Sequence, residues 1–333
     1  MQSIVARSPG GPEVLELVEH PTPVPGPGQV LIRVVSAGVN FSDVKRRRDD
    51  DYPFPTAFPY TPGGEVAGTV EALGEGVRAP ELGTRVFALV GGDGSTGYAQ
   101  YALAEAAQTV PVPGDLDSDV AAGLIIAGST AMLALVDVMD LQPGQRVLVE
   151  AAGGGVGAHA VQIAAHLGAE VVALASTPDK RASALVAGAT QAIDPTAPGW
   201  ADQLGGPVDA VLHSAGPSTF ATELGLLAPF GTMVVIGNAE GVPLRIEEGT
   251  VTDLLYAPAL NKRLVAFNVG LFFGLRPDRA RAALGRLVGL VRAGVVTPRV
   301  GHVLPLSEAA QAHRLLESRR SHGRIVLKPW SAA

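Results

Sequence analysis

A glycine-rich turn between two Val-rich segments is the strongest chemical signal in this sequence. The stretch Arg146–Ala175 contains, in order, a Val-rich segment, the turn AAGGGVG, an alanine-rich segment and a second Val-rich segment. Glycines in such a turn let the backbone approach a pyrophosphate closely, and the amides of a helix that begins there meet its negative charge. A strand, a turn, a helix and a second strand in this order predict a dinucleotide-binding unit.

Two alignments of the glycine motif fit this turn. One is G-x-G-x-x-A beginning at Gly153, and the other is A-x-x-G-x-x-G beginning at Ala151. In either alignment, Gly154, Gly155 and Val156 are expected to lie at the phosphates.

The end of the second Val-rich segment indicates which dinucleotide is bound. An acid about 20 residues beyond the glycines would bind the ribose 2′-hydroxyl of NAD, but ALASTPDK at 173–180 has no acid at the strand tip. Ser176 and Thr177 can donate hydrogen bonds there, and Lys180 and Arg181 can balance a 2′-phosphate. The sequence therefore favours NADPH, while Thr177 also suits the cap of the following helix.

The elements around this motif change in character along the chain. The first third has short alternating segments between Gly and Pro turns, which is typical of a β-barrel. From about Gly123, alanine-rich helices alternate with Val-rich strands, which predicts a parallel sheet. The order breaks near Phe267. Predicted helices are Ser129–Asp140, Val156–Gly168, Pro178–Ala187, Pro277–Ala293 and Ser307–Ser318, and predicted strands are Arg146–Glu150, Glu170–Ala175, Val208–Ser214, Phe230–Ile236 and Gly323–Lys328.

Composition excludes several classes of protein. With 0 cysteines, the chain can form no disulfide, thiolate nucleophile or Cys-ligated zinc site. A net charge of -7 gives no support for a nucleic-acid or anionic-membrane face. The N-terminus has no continuous apolar region of the kind that secretory signals carry, and no stretch approaches the roughly 20 apolar residues that span a bilayer. We therefore expect a cytoplasmic protein without a membrane segment.

The chain resembles the quinone oxidoreductase branch of the medium-chain dehydrogenase/reductases over essentially its whole length. The motifs that carry the resemblance are AGVNFSD at 37–43, YP at 52–53, PGGEVAGTV at 62–70, AAGGGVG at 151–157, VIG at 235–237 and GRIVL at 323–327. The resemblance implies an α/β fold, in which a Rossmann doubly wound parallel sheet is inserted into a GroES-like, mainly-β domain. The implied domains are 1–123 plus 268–333 for the GroES-like catalytic domain and 124–267 for the Rossmann NAD(P)-binding domain.

The same comparison implies a site without metal. Zinc-dependent alcohol dehydrogenases that resemble this chain carry a ligand Cys in the place of AGVNFSD and a ligand His in a GHE motif. Here Val39-Asn40 and Gly63-Gly64-Glu65 stand at these places. We therefore expect no metal ligand at either place.

The resemblance also implies which residues bind NADPH. It places Asn40 beside the nicotinamide and Thr130 at the start of a helix that reaches the cofactor. It turns Arg324 toward the 2′-phosphate, as in some relatives. Along the nicotinamide half it places Ser214, Ala215, Gly216, Gly237, Asn238, Phe267, Asn268 and Val269.

Two acceptors remain open for the hydride of NADPH. A quinone or related electrophilic carbonyl needs little proton assistance, which fits a sequence without an evident catalytic dyad. An activated C=C double bond needs a proton donor, and Tyr52 stands where related enoyl reductases place a tyrosine. Tyr52 is equally well interpreted as a packing residue before Pro53. Asp43 either orients the substrate or Asn40, or caps a helix.

Three further interpretations concern surfaces and partners. The run RRRDDD at 46–51 is typical of a solvated face, or affects the choice of acceptor, while YPFPTAFPY at 52–60 either lines the acceptor cleft or packs as a stiff loop. A cofactor-binding regulator or nucleic-acid-binding protein is the alternative from another class, which the acidic balance does not favour. Relatives often pair through the edge of the Rossmann sheet, so we expect a homodimer, with Val234–Ile246 as its candidate edge.

Overall fold

The computed structural model describes residues 1–50, 55–92, 95–242, 244–246, 250–255 and 261–331, so Tyr52 lies outside the described residues. The chain divides into two compact units. The first unit comprises Met1–Ile126 and Pro298–Ala333, and the second comprises Ala127–Thr297.

The second unit extends further along the chain than predicted. The predicted boundary at 267/268 is wrong, since the structure changes units between Thr297 and Pro298. The intervening helix Pro277–Arg292 is amphipathic and buries Ala280, Ala283, Leu284 and Leu287. A Cβ at Gly128 would lie 2.3 Å from the Leu287 side chain, so this helix packs closely on the second unit. Apolar burial therefore assigns the helix to the Rossmann unit.

Strands and helices are numbered in chain order. The strands are β1 (Gln2–Ala6), β2 (Leu15–Glu19), β3 (Gln29–Val39), β4 (Glu65–Leu73), β5 (Arg85–Leu89), β6 (Tyr101–Glu105), β7 (Val110–Pro111), β8 (Arg146–Val149), β9 (Glu170–Leu174), β10 (Gln191–Ile193), β11 (Val208–His213), β12 (Leu227–Val235), β13 (Arg263–Ala266), β14 (Val300–Pro305) and β15 (Arg324–Lys328). The helices are α1 (Phe41–Arg48), α2 (Ser118–Ala121), α3 (Ser129–Met132), α4 (Gly155–His166), α5 (Pro178–Val186), α6 (Pro217–Leu226), α7 (Thr250–Leu255), α8 (Val269–Leu275), α9 (Pro277–Arg292) and α10 (Ala309–Glu317).

The first unit is built on a strongly paired β-sheet. Its strand order is β14-β15-β3-β4-β5-β7, with β6 also paired to β3, and β1 and β2 form a separate antiparallel pair. β3 reads QVLIRVVSAGV, a β-branched run that suits a long central strand. Its apolar side chains join those of β4, β15 and α10 in one core. This sheet carries Asn40 at the end of β3 and Glu65 at the start of β4.

The second unit is the predicted Rossmann sheet. Its strand order is β10-β9-β8-β11-β12-β13, and every pairing is parallel. From β8 the chain adds β9 and β10 on one side, and then β11, β12 and β13 on the other. The reversal between β8 and β11 is a topological switch point, and dinucleotides bind at the carboxyl ends of the strands there.

The predicted elements are confirmed with two differences. The predicted helix Ser129–Asp140 is α3 flanked by π-helical turns at Leu124–Gly128 and Leu133–Val138. The strand predicted at Phe230–Ile236 begins earlier, at Leu227. The other elements end within two residues of the predicted positions.

The prediction of an edge strand at Val234–Ile246 is wrong. Its first two residues end β12, which pairs with β11 on one side and with β13 on the other. Beyond Val235, the described residues up to Ile246 are outside any strand. The chain leaves the sheet after Val235, and among the described strands β13 (Arg263–Ala266) is the edge on this side. Among the described helices, none has the length and apolar content needed to cross a membrane.

Candidate functional site

The glycine-rich turn joins β8 to α4 at the switch point. Gly154 caps α4, and Ala151 has a positive φ of 47°. A Cβ at Gly157 would lie 2.3 Å from the Ala151 carbonyl oxygen, a backbone atom that has little room to move. Gly157 is therefore the glycine that lets the helix pack on the strand. This favours the A-x-x-G-x-x-G alignment over the one that begins at Gly153.

Lys180 lies directly against the glycine-rich turn. A Cβ at Gly153 would come within 2.6 Å of its Cγ, so the aliphatic stem of Lys180 covers this glycine. Burial lowers the pKa of Lys180, which is the sign of a partly desolvated ammonium group. An incoming anion would restore the stabilisation that such a group has lost to desolvation.

The neighbours of Lys180 have separate roles. Ser176 and Thr177 are exposed in the loop after β9, and the Thr177 hydroxyl accepts a hydrogen bond from the Lys180 amide at 3.4 Å. The predicted cap is thus confirmed. Arg181 donates to the Asp194 carboxylate at 2.9 Å, which balances its charge. Lys180, whose stem lies against Gly153 of the turn, is the better placed of the two cations for a phosphate.

A buried polar group in the first unit surrounds Asn40. The Asn40 side-chain amide donates to Glu65 at 2.9 Å and accepts from Arg324 at 2.9 Å. Arg324 also pairs with Glu65 at 2.5 Å, and the other Glu65 oxygen accepts from the Ile126 amide at 2.8 Å. Glu65 is fully buried, and Asn40 and Arg324 are each 6% exposed. Both ends of the Asn40 amide are therefore fixed.

Arg324 is placed differently from the expectation that it turns toward a 2′-phosphate. Its guanidinium is buried, and Glu65 already balances its charge. A buried, paired guanidinium gains little from turning to a second anion, because the carboxylate left behind would be unpaired. The contacts of Arg324 fit the orientation of Asn40 instead.

Asp43 is buried at the start of α1 and accepts three hydrogen bonds. Its donors are the Asn40 amide at 2.8 Å, the Gly63 amide at 3.2 Å and the Tyr98 hydroxyl at 3.1 Å. Burial nevertheless dominates and raises the pKa of Asp43 to about 6. Asp43 therefore caps α1 and also holds the backbone of Asn40, so both interpretations of this residue agree with the geometry.

A hydrogen-bonded chain leads from Asp43 away from Asn40. Tyr98 Oη lies 3.2 Å from His313 Nε2, and His313 Nδ1 lies 3.2 Å from Arg47. Burial, followed by the charges of the neighbouring arginines, lowers the pKa of His313 to about 3, so its ring is neutral. Since Arg47 can only donate, His313 accepts at Nδ1 and donates from Nε2, and Tyr98 then donates to Asp43.

The run at 46–51 was expected to form a solvated face, and this is wrong for Arg46 and Arg47, which are buried. Arg46 is 2% exposed and its guanidinium lies over the Tyr60 ring at 4.7 Å. Arg47 is fully buried and pairs with Glu317 at 2.5 Å. The last turn of α1 packs on α10, which supplies this carboxylate. Arg47 can therefore be buried because Glu317, which is distant in sequence, balances its charge.

A second buried polar cluster lies at the switch point. Glu150 directly follows β8, and His213 ends β11. His213 Nδ1 lies 2.8 Å from Glu223 Oε2 and 3.2 Å from Glu150 Oε2. The three side chains are almost fully buried, and Glu150 also accepts hydrogen bonds from the loop between β11 and α6 and from Thr219 in the first turn of α6.

The residues predicted along the nicotinamide half lie at the carboxyl ends of β11, β12 and β13. Ser214 follows β11, and its carbonyl accepts from Ala239 at 3.0 Å, which brings it to the Gly237-Asn238 segment after β12. Phe267 follows β13 and its amide donates to the Val235 carbonyl at 2.9 Å. The structure thus brings Ser214, Gly237, Asn238 and Phe267 together at the carboxyl ends of neighbouring strands. Asn268 caps α8, which begins at Val269, and Thr130 is buried in α3.

Five polar residues of these networks were not predicted from the sequence in these roles. They are Glu65, Tyr98, Glu150, Glu223 and His313. Most of their partners lie outside any local motif, as for Tyr98 and His313, which are 215 positions apart. Glu150 alone had a local signal, since an acid directly after the first Rossmann strand faces the switch point.

These features define a class of protein. A parallel sheet with a glycine-rich turn at its switch point, a helix that begins there and a cation over the turn together form a dinucleotide-binding Rossmann unit. This unit is inserted into a β-rich unit that holds a fixed Asn40.

Comparisons with known proteins agree with this class. The family model "Alcohol dehydrogenase GroES-like domain" matches residues 26–114, and "Zinc-binding dehydrogenase" matches residues 187–327. A quinone oxidoreductase of Pseudomonas aeruginosa is 32% identical, with 96% of this chain and 97% of that protein covered. A 2-haloacrylate reductase of Burkholderia sp is 34% identical, with 99% of each covered. The Escherichia coli quinone oxidoreductase complexed with NADPH has a TM-score of 0.91 at 28% identity, covering 99% of this chain and 100% of that one.

The chain belongs to the quinone oxidoreductase family of the medium-chain dehydrogenase/reductases. The predicted fold, a Rossmann sheet inserted into a GroES-like domain, is confirmed.

Proposed function

We propose that this protein is an oxidoreductase that transfers hydride from NADPH to a quinone or related electrophilic carbonyl, without zinc. The observation that carries the proposal is Lys180, whose stem covers Gly153 of the glycine-rich turn while no acid stands at the tip of β9. The NADPH complex of the Escherichia coli relative supports the choice of cofactor, and the relatives named quinone oxidoreductase support the choice of acceptor.

Each part of NADPH has candidate partners in this chain. The turn leads into α4 with Gly154 as its N-cap, and we propose that Gly154, Gly155 and Val156 bind the pyrophosphate at this helix N-terminus. When bound, NADPH supplies the hydride. For the 2′-phosphate we propose Ser176, Thr177 and Lys180. For the nicotinamide half we propose Asn40, Thr130, Ser214, Gly237, Asn238, Phe267, Asn268 and Val269.

Zinc independence is supported by the contacts of the residues at the ligand places. Val39-Asn40 and Gly63-Gly64-Glu65 stand where zinc-dependent relatives place a Cys and a His. Glu65 can bind metals in principle, but its carboxylate accepts hydrogen bonds from Asn40 and Arg324. The Asn40–Glu65–Arg324 group thus supplies a fixed amide where the zinc enzymes have a Lewis acid.

Replacing Lys180 with methionine tests the choice of cofactor. Methionine keeps an apolar stem over Gly153 but removes the charge, so we expect the Kd for NADPH to rise about 10-fold and the Kd for NADH to stay within about 2-fold. Fluorescence titration with both dinucleotides measures this, and Lys180→Arg is the control that should retain NADPH affinity. An equal loss for NADPH and NADH would contradict a role at the 2′-phosphate.

The 2-haloacrylate reductase relative favours a second candidate function, reduction of an activated C=C double bond. That reaction needs a proton at the α-carbon, and Tyr52 is the proposed donor. In this case Tyr52→Phe should lower enone turnover by on the order of 10²-fold while quinone turnover is unchanged. Steady-state NADPH oxidation with each acceptor measures the effect. Tyr101→Phe is the matched control, since the Tyr101 ring packs on Trp330. Unchanged enone turnover in Tyr52→Phe would show that Tyr52 is not the proton donor.

A panel of acceptors tests the proposed function itself. NADPH oxidation is followed with a series of quinones, enones and simple aldehydes, with and without protein. We expect the protein to accelerate oxidation by quinones most. An absence of acceleration with every acceptor would favour the alternative of a cofactor-binding regulator, which a nucleic-acid binding assay would then examine.

The remaining proposals concern assembly and location. We propose a cytoplasmic homodimer that pairs through β13, because β13 is the last strand of this sheet in the described part of the chain and strand edges seek partners. Light scattering would check the mass against twice 34.1 kDa. The net charge of -7 does not favour a nucleic-acid partner.

A further inference from the structure

The loop between β11 and α6 is tied to the end of β8 by one carboxylate. Glu150 Oε2 accepts hydrogen bonds from the backbone amides of Ser214 at 2.5 Å and Ala215 at 2.7 Å. Its other oxygen accepts from the Thr219 hydroxyl at 2.7 Å. Glu150 therefore restrains both the loop and the first turn of α6 from the neighbouring strand.

The charges within the cluster keep this acceptor ionised. Burial alone would raise the pKa of Glu150, but its interactions with the Glu223 carboxyl, His213, the Ser214 amide and the Thr219 hydroxyl outweigh it and lower the pKa. Burial and the charge of Glu150 raise the pKa of Glu223 well above its usual value. Burial lowers the pKa of His213. Since two adjacent buried carboxyl groups cannot both ionise, Glu223 carries the proton and Glu150 the charge.

We propose that Glu150 is a positioning residue, which holds the loop after β11 and the first turn of α6 in the conformation that NADPH binding requires. This inference rests on the proposed function, because the loop lies at the carboxyl ends of β8 and β11, where the strand order reverses. A carboxylate is suited to this task since it only accepts, and all of its neighbours here donate.

Two isosteric substitutions distinguish the role of Glu150 from that of Glu223. Glu150→Gln keeps one acceptor oxygen but removes the other and the negative charge, so the amides and the Thr219 hydroxyl no longer each have a charged oxygen to donate to. Glu223→Gln keeps an acceptor for His213 and leaves the Glu150 carboxylate and its three donors in place. We therefore expect a large effect of the first substitution and a small effect of the second.

Hydrogen exchange of the protein without cofactor is the readout, because it reports the loop independently of any reaction. We expect the Ser214 and Ala215 amides to exchange about 10-fold faster or more in Glu150→Gln and within about 2-fold of wild type in Glu223→Gln. The Kd for NADPH should rise in parallel with exchange, about 10-fold in Glu150→Gln. Amides of β9, away from the cluster, should exchange alike in all three proteins.

Several outcomes would overturn the proposal. Unchanged exchange in Glu150→Gln would show that Glu150 does not restrain the loop, and faster exchange with an unchanged Kd would show that the restraint does not serve NADPH. A thermal midpoint that zinc raises in the wild type but not in Glu223→Gln would identify the three side chains as metal ligands instead. If the wild type does not bind NADPH, the proposed function fails, while the exchange data still decide whether Glu150 restrains the loop.

A milder variant keeps the test available if Glu150→Gln does not fold. Thr219→Val removes one donor to Glu150 and leaves the carboxylate in place. We expect the Ala215 amide to exchange a few-fold faster, since one of the hydrogen bonds that fix the carboxylate is lost. Exchange that is the same as in the wild type would overturn the proposal.

Discussion

Replacing Glu65 with alanine is expected to lower the free energy of unfolding of the first unit by about 3–5 kcal/mol. Glu65 is fully buried and is the carboxylate partner of Arg324, which is itself only 6% exposed. Its removal leaves a buried guanidinium without a counter-ion, and the Asn40 and Ile126 donors lose their acceptor. A loss of this size is a large fraction of the stability of an ordinary domain.

Urea unfolding measures the loss of stability in the first unit. The chain has 2 tryptophans, and Trp330 belongs to the first unit while Trp200 belongs to the second. In a Trp200→Phe background, Trp330 fluorescence reports the first unit alone. Glu71→Ala is the matched control, since Glu71 is exposed on the same strand and should change stability by no more than about 0.5 kcal/mol. Equal effects of Glu65→Ala and Glu71→Ala would contradict the proposed pairing.

The stability difference between the wild type and Asp43→Asn is expected to change by about 2–3 kcal/mol between pH 4 and pH 7.5. Burial raises the pKa of Asp43 from 3.8 to about 6 in the folded protein. The folded state therefore binds more protons than the unfolded state between these two values. Stability contributed by protonated Asp43 is fully present below pH 3.8 and is lost as the pH rises through about 6.

The variant removes this titration and supplies the reference. Asparagine has no charge to bury, so any loss of hydrogen bonding in Asp43→Asn is nearly independent of pH and cancels in the comparison. We expect the free energy of unfolding of Asp43→Asn to increase relative to that of the wild type as the pH rises. A stability difference that stays constant over this range, measured by urea unfolding, would show that Asp43 titrates at its ordinary value.

Much of the fold could be predicted because local chemistry determines it. The glycine-rich turn, the Thr177-Pro178 helix start and the alternation of Val-rich with alanine-rich segments all act over a few residues, and the elements they predict are present. The boundary at 267/268 was wrong because α9 has an amphipathic pattern that fits either unit. Which apolar face it meets, here the one that includes Gly128, is decided by tertiary packing.

The candidate site was predictable where a motif is continuous in sequence. The phosphate turn and Lys180 lie together as their spacing suggests. The contacts of Arg324 and Arg47 were not predictable, since their partners Glu65 and Glu317 are more than 250 positions away. A basic run without visible partners is typical of a solvated surface, and only the fold shows that Arg47 is paired and buried.

NADPH oxidation by protein freed of metal tests the central claim most directly. The protein is treated with a strong chelator, exchanged into metal-free buffer and mixed with NADPH and a quinone. We expect oxidation at the rate of the untreated protein, no change on adding zinc, and slower turnover with NADH in place of NADPH. Activity that disappears with the chelator and returns with zinc would contradict hydride transfer by a zinc-independent, NADPH-dependent enzyme.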